Sequence, residues 1–223
     1  MHIPDGFIDL PTSAAFAAAS AVAVAGAVKG ARRQLSEQSA PLAGLTAVFI
    51  FAVQMLNFPV AAGTSGHLIG AALAMVLVGP YAATLALVVV LIIQAFLFAD
   101  GGLTALGLSI FNMAVISVWV SFAVFMLLKK ILPKTKSWLV VATFISALIS
   151  VPAAAVGFVI QYAIGANATF SVGAVLNAMV GTHILIGIGE AIITALTVSA
   201  VLASRSDLVF GWDKKNTTLE IRS

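Results

Sequence analysis

The stretch MHIPDGFIDLPTSAAFAAASAVAVAGAV (residues 1–28) joins a short acidic start to an apolar segment that no positive charge precedes. A secretory signal peptide has a basic start, an apolar core and a small-residue cleavage site. Because this start is acidic, cleavage is not expected, and the bulky His2 argues against removal of the initiator methionine. We therefore expect Met1 to keep a free amine and the apolar segment to be the first of several membrane helices.

The composition excludes a water-soluble domain. Of 223 residues, 61% are hydrophobic and 9% are charged, whereas soluble domains carry roughly a quarter charged residues. A helix needs about 20 apolar residues to cross the hydrocarbon core. The sequence contains seven such stretches, at residues 12–31, 40–57, 66–79, 81–99, 107–128, 137–163 and 173–203. The third is short and flanked by glycines. The predicted fold is an all-α membrane protein, a seven-transmembrane-helix bundle forming one integral membrane domain over residues 1–205, with a polar cytoplasmic C-terminal tail over 206–223.

Basic residues set the predicted orientation, because lysine and arginine stay on the cytoplasmic side of a membrane. All eleven lie in three groups, which are Lys29, Arg32 and Arg33; Lys129, Lys130, Lys134 and Lys136; and Arg205, Lys214, Lys215 and Arg222. With the N-terminus outside and seven alternating spans, every group falls on the cytoplasmic face. The predicted topology is N-out and C-in, and the formal charge of +3 reflects orientation rather than nucleic-acid binding.

The first two residues offer three nitrogen donors to a metal ion. The terminal amine and the backbone nitrogen of His2 can close a five-membered chelate ring, and that nitrogen and the His2 imidazole can close a six-membered ring. A planar nitrogen set suits Ni(II) or Cu(II) better than Mg(II) or Ca(II), and it leaves one corner for a second imidazole. Pro4 and the Asp5-Gly6 turn signal allow the segment to fold back onto the bundle. The alternative is a histidine without a role in a mobile terminus.

The second imidazole is predicted to be His67, in NFPVAAGTSGHLIG (residues 57–70) between the second and third stretches. Ser65 is expected to cap a helix that begins near Gly66, which places His67 in the first helical turn. A helix N-terminus disfavours imidazolium, so His67 should stay neutral and able to bind a metal. The alternative is a histidine that only caps a helix at the membrane interface.

Further polar residues share one depth in the predicted bundle, its outer half. They are Gln54, Asn57, Gln94, Asp100, Ser109, Asn112, Asn177 and His183. Polar groups in lipid usually face the interior or a cavity, so they predict an outward-facing polar pocket, with hydrogen bonding between helices as the alternative. All but Ser109 and Asn177 are candidates for supporting the metal site or for gating.

Glu190 is the only acid predicted to be buried near the middle of the membrane. It follows His183 by seven residues, which places both on one face of the last helix. Two roles are open to it, a structural partnership within the bundle or a part in transport or gating.

Four segments together resemble the CbiM/NikM family, the substrate-binding membrane subunits of energy-coupling-factor transporters for cobalt and nickel. They are MHIPDGFI (1–8), GTSGHLIG (63–70), FLFADGGLTALGLSIFNM (96–113) and GTHILIGIGEAIITAL (181–196). The resemblance runs from residue 1 to about 203. It implies a metal site formed by the N-terminal amine of Met1, the amide and imidazole of His2, and His67. It also implies a six-helix substrate-binding core to which one N-terminal helix is added.

The function that the resemblance implies is capture of Co(II) or Ni(II) at the outer face of a prokaryotic plasma membrane, with no other cofactor. The chain has no GxxxxGK[ST] phosphate-binding loop and is not expected to be an enzyme. The implied partners are a transmembrane coupling protein, two cytoplasmic ATPase subunits and, in some cobalt systems, a small accessory membrane subunit.

Two other functions compete with this interpretation. One is a stand-alone divalent-metal channel or secondary carrier. The other is an intramembrane hydrolase that uses His67, His183 and Glu190, although the HExxH arrangement typical of such enzymes is missing.

Overall fold

The structure is a computed structural model of the chain, and it describes residues 1–34, 40–60 and 64–212. Seven helices lie within these ranges, and a short antiparallel hairpin of β1 (Phe58–Val60) and β2 (Thr64–Gly66) connects the second helix to the third. The helices are α1 (Leu10–Gln34), α2 (Ala40–Gln54), α3 (Ala71–Val78), α4 (Pro80–Leu97), α5 (Leu106–Ile131), α6 (Lys136–Gly165) and α7 (Val172–Ser204). Each corresponds to one of the seven apolar stretches predicted from the sequence.

Five of these helices, α1 and α4 to α7, are long and apolar enough to cross a membrane. The other two are shorter, with 15 residues in α2 and 8 in α3. At a rise of about 1.5 Å per residue, α3 extends only about 12 Å, less than half of a hydrocarbon core about 30 Å thick. The protein is therefore an all-helical, multi-pass membrane protein in which α3 cannot span the bilayer by itself.

Two glycines set the bounds of α3. Gly70 has φ 77° and Gly79 has φ 81°, both in the left-handed region that glycine adopts without strain. Pro80 then opens α4, at the position where its missing N–H costs no helical hydrogen bond. The prediction of a helix that begins near Gly66 is wrong, because the chain remains in the hairpin and a loop until it reaches the left-handed residue Gly70.

The short helix α3 lies at the centre of the bundle. All of its residues are buried, and it contacts α2, α4, α5, α6 and α7. Its sequence, AALAMVLV, is apolar on every side, as expected for a helix surrounded by other helices. Its small residues let the surrounding helices approach closely.

Helix α1 lies at the edge of the bundle and packs on α4 and α5. Its contact with α5 depends on Gly107, since a Cβ at that position would come 2.6 Å from the Ala17 Cβ and overlap the Ala17 backbone. The Ser20 hydroxyl donates to the Gly107 carbonyl at 2.7 Å. The two helices are therefore in direct backbone contact.

The first residues of the predicted tail pack on the bundle. After a 3₁₀ turn at Ser206–Leu208, the Phe210 N–H donates to the Val76 carbonyl at 2.9 Å. Gly211 lies so close to the Phe125 ring that a Cβ would overlap it. The segment thus binds the C-terminal end of α3, and the remainder of the tail, 213–223, lies outside the described residues.

We predict that Gly107→Ala destabilises the protein by about 1–3 kcal/mol, because the added methyl group overpacks the contact between α1 and α5. Gly26→Ala is the matched control, since nothing lies within 4 Å of a Cβ there. The measurement is the thermal unfolding midpoint in detergent. Equal midpoints for the two variants would contradict the close contact.

Candidate metal-binding site

The N-terminal segment, residues 1–9, turns back into the bundle. Met1 and Ile3 are fully buried, and His2 is 4% exposed. A tight turn follows at Gly6, whose φ of 76° requires the left-handed region. The turn predicted from the sequence is confirmed, and the terminal amine lies inside the protein rather than in water.

Backbone hydrogen bonds join this segment to the end of α6. The Asp9 N–H donates to the Gly165 carbonyl at 2.7 Å, and the Asn167 N–H donates to the Phe7 carbonyl at 3.2 Å. They flank a short antiparallel bridge at Ile8. The main chain of the segment therefore has the partners that a buried backbone requires.

The loop between α4 and α5, residues 98–105, holds the segment from the other side. The Gly102 N–H donates to the Ile3 carbonyl at 2.8 Å. The Asp5 carboxylate accepts from the Thr104 N–H at 2.7 Å and from the Thr104 hydroxyl at 2.5 Å. The hydroxyl bond is the main cause that lowers the pKa of Asp5, followed by backbone N–H donors of the same loop.

His2 and His67 meet at the end of this segment. Their rings stack with centroids 4.8 Å apart and planes 30° apart. His2 Nε2 lies 3.5 Å from the Asp100 Oδ2, longer than a good hydrogen bond but within ion-pair distance. Asp100 in turn lies 3.3 Å from the Asn57 amide nitrogen. Four residues predicted separately from the sequence are thus brought together.

His67 lies in the loop between β2 and α3, fully buried and four residues before the helix. Its Nδ1 is 2.8 Å from the Leu68 carbonyl. Because a carbonyl only accepts, Nδ1 carries the proton and the lone pair is on Nε2. Among the residues that the structure describes, that Nε2 has no hydrogen-bond partner.

The expected position of His67 in a first helical turn is wrong, and the predicted cap by the Ser65 side chain lies outside what the structure describes. His67 is nevertheless neutral, because of its burial rather than because of a helix N-terminus. Burial is the main cause that lowers the pKa of His67 well below its usual range, with smaller contributions from the N-terminal amine, His2 and His183.

Burial also keeps the other nitrogen donors unprotonated. It lowers the pKa of the Met1 amine to about 5, against an opposing effect of Asp100. The pKa of His2 falls to about 3, again mainly through burial. At neutral pH the site therefore presents lone pairs rather than cations. In the described part of the chain, no three His, Asp or Glu side chains are grouped so that they could hold a metal ion by themselves.

His183 points its Nδ1 at the Met179 carbonyl of its own helix, 2.7 Å away. Its proton is thus on Nδ1, as in His67. His183 Nε2 is buried and has no partner within the described ranges. His183 makes only the smallest of the contributions to the lowered pKa of His67.

Glu190 and Gln54 bind the loop that carries His67. The Glu190 carboxylate accepts from the Ile69 N–H at 2.6 Å and from the Gly70 N–H at 3.0 Å. The Gln54 amide donates to the Ile69 carbonyl at 2.7 Å. Both side chains therefore act on main-chain groups just beyond His67.

Asn112 and Gln94 are the remaining two candidates, and each has a different kind of hydrogen-bond partner. Asn112, in the π-helical turn Phe111–Ile116 of α5, donates to the Gln161 side chain of α6 at 2.7 Å. This pair matches the alternative of hydrogen bonding between helices. Gln94 is fully buried, and its backbone carbonyl accepts from the Asp100 N–H at 3.1 Å, which holds the loop of Asp100.

Three contributors to this arrangement were missed in the sequence analysis. Asp5 was treated as a turn residue, although a carboxylate so near the N-terminus could have been expected to find donors. Thr104 and Gln161 gave only weak signals, a hydroxyl in a glycine-rich loop and one amide inside an apolar stretch.

The fold and the site together define a multi-pass membrane protein with a buried cluster of nitrogen donors, as in a transition-metal transport component. The family model described as "Cobalt uptake substrate-specific transmembrane region", CbiM, matches residues 2–208. The chain belongs to this family and is a component of cobalt or nickel transport, as its sequence resemblance predicted.

Individual relatives agree with this assignment. A protein of Archaeoglobus fulgidus named for nickel transport as a fused NikMN protein is 39% identical over 94% of this chain and 68% of its own length. The cobalt transport protein CbiM of Sorangium cellulosum is 32% identical over 94% of each chain. The crystal structure of a truncated transition metal transporter is 33% identical, with a TM-score of 0.83 over 91% of this chain and 99% of that one.

We predict that Gly102→Ala detaches the N-terminal segment, because a Cβ there would overlap the backbone nitrogen and the carboxylate of Asp5. Hydrogen exchange of a peptide covering residues 1–9 should be at least tenfold faster than in the unaltered protein. Gly173→Ala, where nothing lies within 4 Å of a Cβ, should leave that rate unchanged. Equal exchange in both variants would show that the 98–105 loop does not hold the segment.

Proposed function

We propose that this chain is the substrate-binding subunit of an energy-coupling-factor importer that captures Ni(II) or Co(II) through Met1, His2 and His67. The observation on which the proposal depends is the buried N-terminus, where the His2 and His67 rings stack with centroids 4.8 Å apart and the His67 Nε2 has no hydrogen-bond partner in the described part of the chain. Burial lowers the pKa of the Met1 amine to about 5, so at neutral pH the amine is uncharged and able to bind a metal.

The donor atoms fit a planar chelate. In the proposed chelate, the terminal amine, the His2 backbone nitrogen and the His2 Nδ1 would supply three nitrogens that are adjacent along the chain, and the His67 Nε2 would supply the fourth. Asp100 faces the His2 Nε2, which leaves Nδ1 for the chelate. A carboxylate on the outer nitrogen of a metal-binding imidazole is a common way to fix its orientation. Four nitrogens in a plane suit Ni(II) well.

Charge balance supports the same set. A divalent cation in an apolar bundle needs compensating negative charge. Binding through the His2 amide releases one proton and supplies one negative charge, and the Asp100 carboxylate beside the ring supplies a second. The loaded site would then be close to neutral overall.

The orientation proposed for the chain is N-out and C-in with seven spans. The N-terminal segment lies beside the end of α6 and the start of α7. The basic residues Lys129, Lys130, Lys134 and Arg205 belong to the opposite ends of α5, α6 and α7. Since basic residues favour the cytoplasm, the metal site faces the outside.

The proposed partners are a transmembrane coupling protein and two cytoplasmic ATPases, with a small accessory membrane subunit in a cobalt system. The chain itself carries no phosphate-binding loop. Names given to the relatives concern cobalt and nickel transport. An external source of energy is therefore part of the proposal.

The competing functions receive less support. In a channel or carrier, Gln54 and Glu190 would be expected to line a path, but their side chains are engaged with the loop after His67. In a hydrolase, Glu190 would need to face a water at the metal rather than two backbone N–H groups.

The test of the assembly is purification of the tagged chain from its native membrane, followed by identification of the bound proteins. We expect two ATPase subunits and one coupling protein, and loss of metal uptake when the ATPase genes are deleted. Uptake that continues without them would favour the stand-alone carrier.

We predict that His67→Ala lowers Ni(II) affinity at least tenfold and removes the absorption band of a four-nitrogen planar complex, because one ligand is lost. Ser146→Ala is the control, since its hydroxyl donates to the Ala142 carbonyl of its own helix. The measurements are calorimetric titration and visible absorption of the purified protein. An unchanged band would place the metal elsewhere.

We predict a comparable loss when Gly-Ser is added before Met1, because the amine then leaves the chelate. The same two residues added after Ser223 provide the control, with affinity unchanged. Full affinity in the N-terminal extension would exclude the terminal amine as a ligand.

A further inference from the structure

The peptide group between Leu68 and Ile69 is bonded on both of its sides. Its carbonyl, that of Leu68, lies 2.8 Å from the His67 Nδ1. Its N–H, that of Ile69, donates to Glu190 at 2.6 Å. In a trans peptide these two groups point in opposite directions, so the peptide lies between the imidazole and the carboxylate.

From this geometry we propose that Glu190 is a positioning residue that fixes the tautomer and orientation of the metal-binding His67 through the intervening peptide group. The inference rests on the proposed function of His67. Metal-binding histidines commonly donate their second N–H to a carboxylate or a carbonyl, which makes the ligating nitrogen more basic. Here the His67 Nδ1 donates to the Leu68 carbonyl, and the N–H of the same peptide group donates to the Glu190 carboxylate.

Electrostatics favour this coupling of the Glu190 carboxylate to the His67 imidazole through the peptide group. A carboxylate that accepts from an N–H polarises the peptide, and its carbonyl becomes a stronger acceptor. Glu190 is 2% exposed, so water does not screen it. The stronger acceptor holds the proton on the His67 Nδ1 and leaves the lone pair on Nε2.

Surrounding contacts make the peptide rigid. Glu190 also accepts from the Gly70 N–H, and Gln54 binds the Ile69 carbonyl. Gly70 packs on the Ile50 side chain, and a Cβ added at Gly70 would lie 2.8 Å from Ile50. The loop therefore has little freedom to compensate for a lost bond at the Ile69 N–H.

The test compares Ni(II) binding by Glu190→Gln with that of the unaltered protein. A glutamine offers one acceptor oxygen where the carboxylate offers two, and it removes the charge. We expect affinity to fall by about 10–100-fold, as for other residues that orient metal ligands. We also expect the visible band to move to lower energy, since a weaker donor reduces the ligand field.

A double variant separates positioning from general support of the fold. In a His67→Ala background, adding Glu190→Gln should cause no further loss of affinity, because the two residues act through one ligand. Additive losses would overturn the inference while leaving the role of His67 intact. Equal Ni(II) binding by His67→Ala and the unaltered protein would instead contradict the proposed function.

Two more variants provide a control for the test and a replacement for Glu190→Gln. Thr194→Val, one turn further along α7 and also buried, should leave both affinity and band unchanged. Should Glu190→Gln fail to fold, Glu190→Asp keeps the charge but cannot reach the Ile69 N–H, and the same weaker affinity and band shift are expected. An unmoved band in the folded variant would contradict a role through His67.

Discussion

The constraint on which the structure depends is the burial of a chain terminus. A charged ammonium inside an apolar bundle costs several kcal/mol unless it is compensated, so the amine is held uncharged, with its pKa near 5. The segment behind it must also satisfy its backbone, which it does through α6 on one side and the 98–105 loop on the other. The glycines at 101 and 102 permit this loop to approach so closely.

The membrane also constrains the length of the helices. Backbone groups within a membrane must be bonded inside the protein, and short or irregular elements are tolerated only when other helices surround them. Helix α3 meets this condition because every residue in it is buried. Its shortness leaves room inside the bundle for a buried loop, and His67 lies in that loop.

The sequence predicted more of the fold than of the contacts. Hydropathy located all seven helices, because membrane helices need long apolar stretches, and the acidic start and the turn pointed to a folded N-terminus. The start of α3 was misplaced, since propensity does not reveal that Gly70 adopts a left-handed conformation. For Asn112 the sequence left open a polar pocket or hydrogen bonding between helices, and its bond to Gln161 fits the second.

The partner of Glu190 could not have been predicted, because it lies 121 residues away along the chain and is a main-chain group rather than a side chain. The sequence offered His2, His67 and Asp100 as candidates because histidines and acids are rare in this chain, and it offered Met1 because its amine adjoins His2. Asp5 and Thr104, which fix the N-terminal segment, were not offered as candidates.

The anchoring of residues 1–9 has a thermodynamic meaning for metal capture. Ordering a flexible nonapeptide at the moment of capture would weaken affinity for every ion alike. Here backbone hydrogen bonds already anchor the segment to the end of α6 and to the 98–105 loop. Under the proposed function the donor atoms of the segment would therefore be held in place by the fold itself, and capture would cost little chain entropy.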